Sequence, residues 1–179
     1  NSYNGIFNTP FGIPFRTPSD NSNNIAFTSL WDNYPTFIDI PLNGKSSHAY
    51  LLMAGTTNHM QVHITNGEVI VKYKDGTTSI LKLVNPETWM PIEQDLYLDG
   101  QAFQSKLPKP YRVALKSGVV SRSWNNIIPH DEVYGRSIDG GAGVILDIPL
   151  DKTKELESLQ VKTIANEVII GLMSVTLTR

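Results

Sequence analysis

The chain has 179 residues, 40% apolar and 18% charged, with 15 basic and 17 acidic side chains and a formal net charge of −2. That length suits one all-β domain with a core of its own, and the composition excludes a disordered chain. The charge balance excludes the basic footprint of a nucleic-acid binder. The absence of cysteine removes disulfides, thiolate metal sites and cysteine nucleophiles, and no apolar run is long enough to span a bilayer, so membrane insertion is not expected.

The sequence opens at Asn1 with no hydrophobic stretch of the signal-peptide kind. We read these residues as the start of a fragment whose parent would carry any catalytic part elsewhere. Residues 1–24 are rich in Asn, Ser, Thr and Pro, with Ile6, Phe7, Phe11, Ile13 and Phe15 interspersed. Prolines 10, 14 and 18 argue against a helix or a central strand, so the segment is expected to lie as an arm on a domain spanning residues 25–179.

Strand signals then become dense. Ile25–Leu30 and Thr36–Ile40 are short candidates, and His48–Gly55 is a near-continuous apolar run, as a strand buried on both faces requires. Met60–Thr65, Glu68–Lys74 and Thr77–Val84 are separated by Asn66-Gly67 and Asp75-Gly76, dipeptides that supply the positive φ of tight hairpin turns. This predicts a three-stranded meander with Val69, Val71 and Tyr73 on one face and Lys72 and Lys74 on the other. Asn85–Gly100 reads as a loop, Tyr111–Leu115 and Gly118–Ser123 as a hairpin, and Asn125–Ala142 as a second loop ending in a Gly-rich turn. Gly143–Ile148, Leu156–Ile164 and Val168–Thr178 complete the strands, the last with Met173, Val175 and Leu177 alternating with polar residues. Only Asp151–Leu159 has room for a helical turn. About ten closely spaced strand candidates predict an all-β, two-sheet antiparallel sandwich of jelly-roll type. One echo, Ile38-Asp39-Ile40-Pro41-Leu42-Asn43 against Leu146-Asp147-Ile148-Pro149-Leu150-Asp151, predicts matching strand–crossover–strand units in the two halves.

Four stretches carry a family resemblance: Asn23 to Asn33 (NNIAFTSLWDN), Asn66-Gly67 through Asp75-Gly76, Leu83 to Glu93 (LVNPETWMPIE), and Val168-Ile169-Ile170-Gly171-Leu172. Together they resemble uncharacterised jelly-roll domains that bacteria attach to secreted glycosidase-like proteins, whose architecture is similar to galactose-binding-like domains and carbohydrate-binding modules. The resemblance implies a periplasmic or secreted bacterial protein and a link to glycan processing. The partners it implies are a polysaccharide or oligosaccharide and a catalytic domain of the same parent chain. It transfers no binding residues.

Sugar sites combine an aromatic platform with planar polar groups. Trp31-Asp32-Asn33-Tyr34, Trp89 with Glu93, and Trp124 with the polar loop behind it meet that description on loops, where binding usually lives. Trp31, Asp32, Asn33, Trp89, Glu93 and Trp124 are therefore the candidate carbohydrate-binding residues, against the standing tendency of tryptophan to be buried. His59 and His63 are spaced as metal ligands would be on a helix, but on a strand they stand about 13 Å apart. No metal site, cofactor or catalytic residue is assigned, although loop oxygens would suit a structural calcium ion. The expected function is a non-catalytic accessory domain. The alternatives are a glycoside hydrolase using two of Glu93, Asp95, Asp99, Asp131, Glu132 and Asp139, whose pair would need a separation of about 5–10 Å, and a protein-interaction module.

Overall fold

The computed structural model describes residues 5–18, 22–58, 61–96, 105, 107–122 and 135–179, with backbone alone at 94, 96, 135 and 136. These residues contain no helix and fourteen strands. They are β1 (Ile6–Asn8), β2 (Pro14–Arg16), β3 (Ala26–Ser29), β4 (Phe37–Pro41), β5 (His48–Thr57), β6 (Thr65–Tyr73), β7 (Thr78–Val84), β8 (Gln94–Leu96), β9 (Tyr111–Ala114), β10 (Val120–Ser121), β11 (Gly135–Ser137), β12 (Ala142–Pro149), β13 (Leu156–Thr163) and β14 (Val168–Thr178). A six-stranded sheet runs β10-β9-β12-β5-β14-β3 and a four-stranded sheet runs β4-β13-β6-β7; β1-β2 and β8-β11 form small ribbons. Every strand pair is antiparallel.

Period-two alternation places the core. Leu51 and Met53 of β5, Val144, Leu146 and Ile148 of β12 and Ile170 and Leu172 of β14 point inward from the larger sheet. They meet Val69, Val71 and Tyr73 of β6 and Leu156, Leu159 and Val161 of β13, each burial stabilising by roughly 1.5–3 kcal/mol before entropy is charged against it. The described residues thus form an all-β sandwich. The opposite face of the larger sheet is also apolar in part. There Phe15 of β2, with Phe7 and Ile13, packs on Leu52, Val113 and Ile145.

The sequence echo falls as expected, one copy in each sheet. From β4 the chain crosses to β5, and from β12 it crosses back to β13, while β4 pairs with β13 and β5 with β12. The two crossovers clasp each other: Leu42 N–H donates to Glu157 O at 2.9 Å and Leu150 N–H to Ser47 O at 2.8 Å.

Three expectations need correction. Asn66-Gly67 is not a turn; β6 runs through it, with a bulge against β7. Asn66 is fully buried, and Gly67 is demanded by close approach, since a Cβ there would lie 2.6 Å from Lys162 O and collide with Ile170. His63 takes the positive φ, at 56°, so it belongs to no strand, and His59 and Met60 lie outside the described residues. Second, the two long loops contain β8 and β11. Third, β14 bulges between Leu172 and Ser174, turning Met173 to the outer face while Val175 and Leu177 stay with the core. Asp75-Gly76 does form the predicted turn between β6 and β7, with Gly76 at φ +85°.

Candidate functional site

Trp89, read above as a candidate sugar platform, is a core residue only 1% exposed. Gly55 leaves the space its ring fills, for a Cβ there would come within 2.8 Å of Trp89 Cζ3. Its indole Nε1–H donates to Asn66 Oδ1 at 3.0 Å, and Asn66 Nδ2 in turn donates to Gln61 O at 3.1 Å. A buried indole needs such an acceptor, and with ring and N–H both engaged it offers a ligand nothing. Trp124 lies outside the described residues, as do Asp99, Asp131 and Glu132.

Trp31 has the opposite placement. Ser29 ends β3, and its Oγ donates inward to Val168 O at 2.8 Å. The chain then turns sharply, Tyr34 N–H donating to Trp31 O at 3.0 Å, so that Trp31, Asp32 and Asn33 project into solvent. Trp31 is 50% exposed. Its ring centroid stands 6.5 Å from that of Tyr34, which meets Phe27 edge-on at 6.4 Å. The three rings form one exposed aromatic surface.

Phe27 and Tyr34 also line a groove of about 710 Å³ on the outer face of the six-stranded sheet. Its floor is Ala54 and Thr56 of β5, Ile169 and Met173 of β14 and Val113 of β9. Thr56, Ile169 and Ser29 are paired across three adjacent strands, which puts the outer two Cα atoms about 10 Å apart at the usual strand spacing. Glu93, whose Oε1 accepts from Thr56 Oγ1 at 2.9 Å, therefore sits at the same end of the groove as the Trp31 turn. Trp31, Asp32 and Asn33 share one turn, Glu93 is anchored to Thr56 two strands away, and Trp89 is behind the sheet.

Sequence reading missed Phe27 and Thr56. Phe27 lies within an apolar run that reads as core, and only its outward phase in β3 makes it a rim residue. Its pairing with Gly171, opposite Ala54, is a signal visible only across strands.

The segment carrying Glu93 is braced from below. Arg112 is buried; its Nη2 donates to Pro91 O at 2.7 Å and to Ala142 O at 3.1 Å. Its Nη1 stands 3.8 Å from Asp95 Oδ1, which also meets Lys109 Nζ at 3.2 Å. Burial pulls the guanidinium down to about 10, with the charges of Asp95 and Glu93 opposing. Asp95 is 0% exposed, so this carboxylate is tied to two cations with no route to a substrate. Asp139 is exposed and paired with Lys116.

Among the described residues no three His, Asp or Glu side chains converge as a metal centre requires, and no helix is long and apolar enough to cross a membrane. No protein-family model matches the chain, and no curated protein or solved structure matches it either.

Proposed function

We propose that the protein is a non-catalytic, carbohydrate-binding jelly-roll domain that serves a secreted bacterial glycan-degrading protein. The carrying observation is the exposed Trp31–Tyr34–Phe27 surface on the rim of the groove, with the free carboxylate and amide of Asp32 and Asn33 on the same turn. Aromatic faces take the C–H faces of a sugar, planar side chains take its hydroxyls in pairs, and the groove continues the apolar surface past a single ring. The jelly-roll assignment is supported by the two clasped crossovers, which roll the β4–β5 and β12–β13 segments across both sheets as one antiparallel ribbon. A hydrolase would need two carboxylates facing each other across a cleft; Asp95, withdrawn into its ion cluster, is a poor member of such a pair. A second reading, favoured by the apolar lining of the groove, seats a catalytic domain of the same parent chain there.

The test is affinity electrophoresis through a panel of neutral polysaccharides, with wild type and Trp31→Ala side by side. Retardation of the wild type that drops at least tenfold in the variant supports the reading. Retardation unchanged by Trp31→Ala, or absent on every polysaccharide, removes the sugar site at this turn.

A further inference from the structure

The other end of the same sheet face holds a cleft of about 440 Å³. It exists because β9 ends early: Tyr111 pairs with Ile145, and β12 continues to Pro149 without a described neighbour on that side. The space left over lies along the uncovered edge of β12 at Ile145 and Leu146, bounded by Phe11, Tyr50 and Tyr111 and reaching Leu81 of β7 in the other sheet.

The polar groups here are held in place by the walls and by His48. Phe11 packs on Tyr111 with ring centroids 4.9 Å apart, and the Arg122 guanidinium carbon stands 4.1 Å from the Tyr111 centroid. Cation–π contact fixes the guanidinium without using its N–H donors, and among the described residues Arg122 has no carboxylate partner. Asp147 projects from the same sheet face, where it pairs across strands with Tyr50. Its Oδ1 meets His48 Nδ1 at 2.7 Å, and His48 stacks on the Tyr50 ring at 5.8 Å. Tyr50 is raised above its ordinary pKa by burial first, then by the charge of Asp147 and a hydrogen bond to it. His48, Tyr50 and Asp147 thus lock one another, and Asp147 keeps acceptor capacity to spare.

We infer that this cleft is a second binding site, for a neutral sugar ring. It borrows from the reading above only the class of ligand and uses none of the same residues. Phe11 and Tyr50 provide the apolar surface, Tyr111 seats Arg122, and Arg122 supplies the donors and Asp147 the acceptors. A donor fork and a carboxylate lining one cleft suit a ring of hydroxyls, which accept from one and donate to the other. The charge of the lining selects against acids. Asp147 and Glu87 outnumber Arg122, so a uronate or phosphate would meet net repulsion.

The test is an amide NMR titration of the protein with methyl glucoside, methyl galactoside and methyl mannoside, and with glucuronate as the charged probe. Wild type is compared with Arg122→Gln, Asp147→Asn and Trp31→Ala, each first checked for an unchanged melting temperature. At least one neutral probe is expected to shift the amides of Tyr50, Tyr111, Arg122 and Asp147. Arg122→Gln and Asp147→Asn should each weaken that response at least tenfold, Trp31→Ala should leave it intact, and glucuronate should bind at least tenfold more weakly. The inference is overturned if the neutral probes shift no cleft amide, if the two cleft variants titrate like wild type, or if glucuronate binds better than the neutral rings. Shifts confined to the Trp31 turn would overturn it while supporting the groove. Shifts confined to the cleft would do the reverse.

Discussion

Trp89 and Trp31 lie on opposite faces of the same sheet. The inner face of β5 at Gly55 touches the Trp89 ring, while Ala54 and Thr56 on either side floor the outer groove whose rim carries the Trp31 cluster. Both tryptophans sit in connecting segments, and both have polar side chains close by in sequence. What separates them is the far side of each contact. Trp89 has a glycine-sized hollow and a buried amide acceptor waiting for it; Trp31 has a tight turn that carries its ring clear of the sheet. Burial of a large aromatic side chain is thus decided by residues distant in sequence, and the ring for which no such space was made stays exposed.

The largest effect should come from emptying the inner site. Trp89→Ala removes a fully buried ring and leaves Asn66 Oδ1 without its donor. Aromatic-to-alanine changes in cores cost about 3–5 kcal/mol, and the orphaned acceptor adds to that. Urea unfolding should show a stability loss of this size, as a lower midpoint with an unchanged slope. A loss below about 1 kcal/mol would mean that the inner site is not a packed core.

Arg112→Met tests the brace beneath the groove. It removes the donor to two backbone carbonyls and one of the two cations on buried Asp95. Removing one partner of a buried ion pair is strongly destabilising, here by about 3 kcal/mol with Lys109 still in place. Hydrogen exchange should accelerate first in residues 85–96 and not in β6 or β13. Uniform acceleration would show that Arg112 serves the whole fold and not this segment.

Trp31→Ala should barely register in the same unfolding experiment, within about 0.5 kcal/mol, as surface changes do. Its effect should appear in glycan affinity alone. A stability loss comparable to that of Trp89→Ala would erase the distinction between the two faces.

Much of the architecture was legible because it rests on local periodicity. Val69, Val71 and Tyr73 alternate inward as their spacing predicts, and the Pro41 and Pro149 echo marks strands in opposite sheets because proline stops ladder pairing there. What could not be read is what depends on distant partners. Asn66-Gly67 and Asp75-Gly76 carry the same turn cue, yet only the second is a turn. Asp75 is solvated and holds its own backbone, whereas Asn66 serves Trp89 and Gly67 makes room for Ile170. The candidate site divided in the same way. The exposed turn at Trp31, Asp32 and Asn33 followed from polar residues after a strand. Phe27, Thr56 and the cleft around Tyr50, Tyr111 and Asp147 depend on register between strands and had no local signature.

The smallest expected effect lies at that one true turn. Asp75 Oδ1 accepts from Thr77 N–H at 2.9 Å and Thr77 Oγ1 at 2.6 Å, and its other oxygen meets Lys154 Nζ at 2.9 Å. The Thr77 hydrogen bonds, with Lys154 behind them, hold the carboxyl down at about 2. Because the folded value lies below the unfolded one, the unfolded chain binds more protons between about 2 and 4, and stability rises with pH across that window. The contribution is complete above about 4 and is lost as pH falls through about 2. Asp75→Asn keeps an oxygen acceptor for Thr77 but removes the charge, so it should leave the turn formed and flatten this part of the stability–pH curve. The measurement is the slope of the melting temperature against pH from about 2 to 4 in Asp75→Asn/Asp151→Asn against Asp151→Asn, because Asp151, likewise lowered by its bonds from Thr153, also feels the charge of Asp75. An unchanged slope would mean that neither the Thr77 hydrogen bonds nor Lys154 favours the charged carboxyl over the solvated one, as full screening by solvent would bring about.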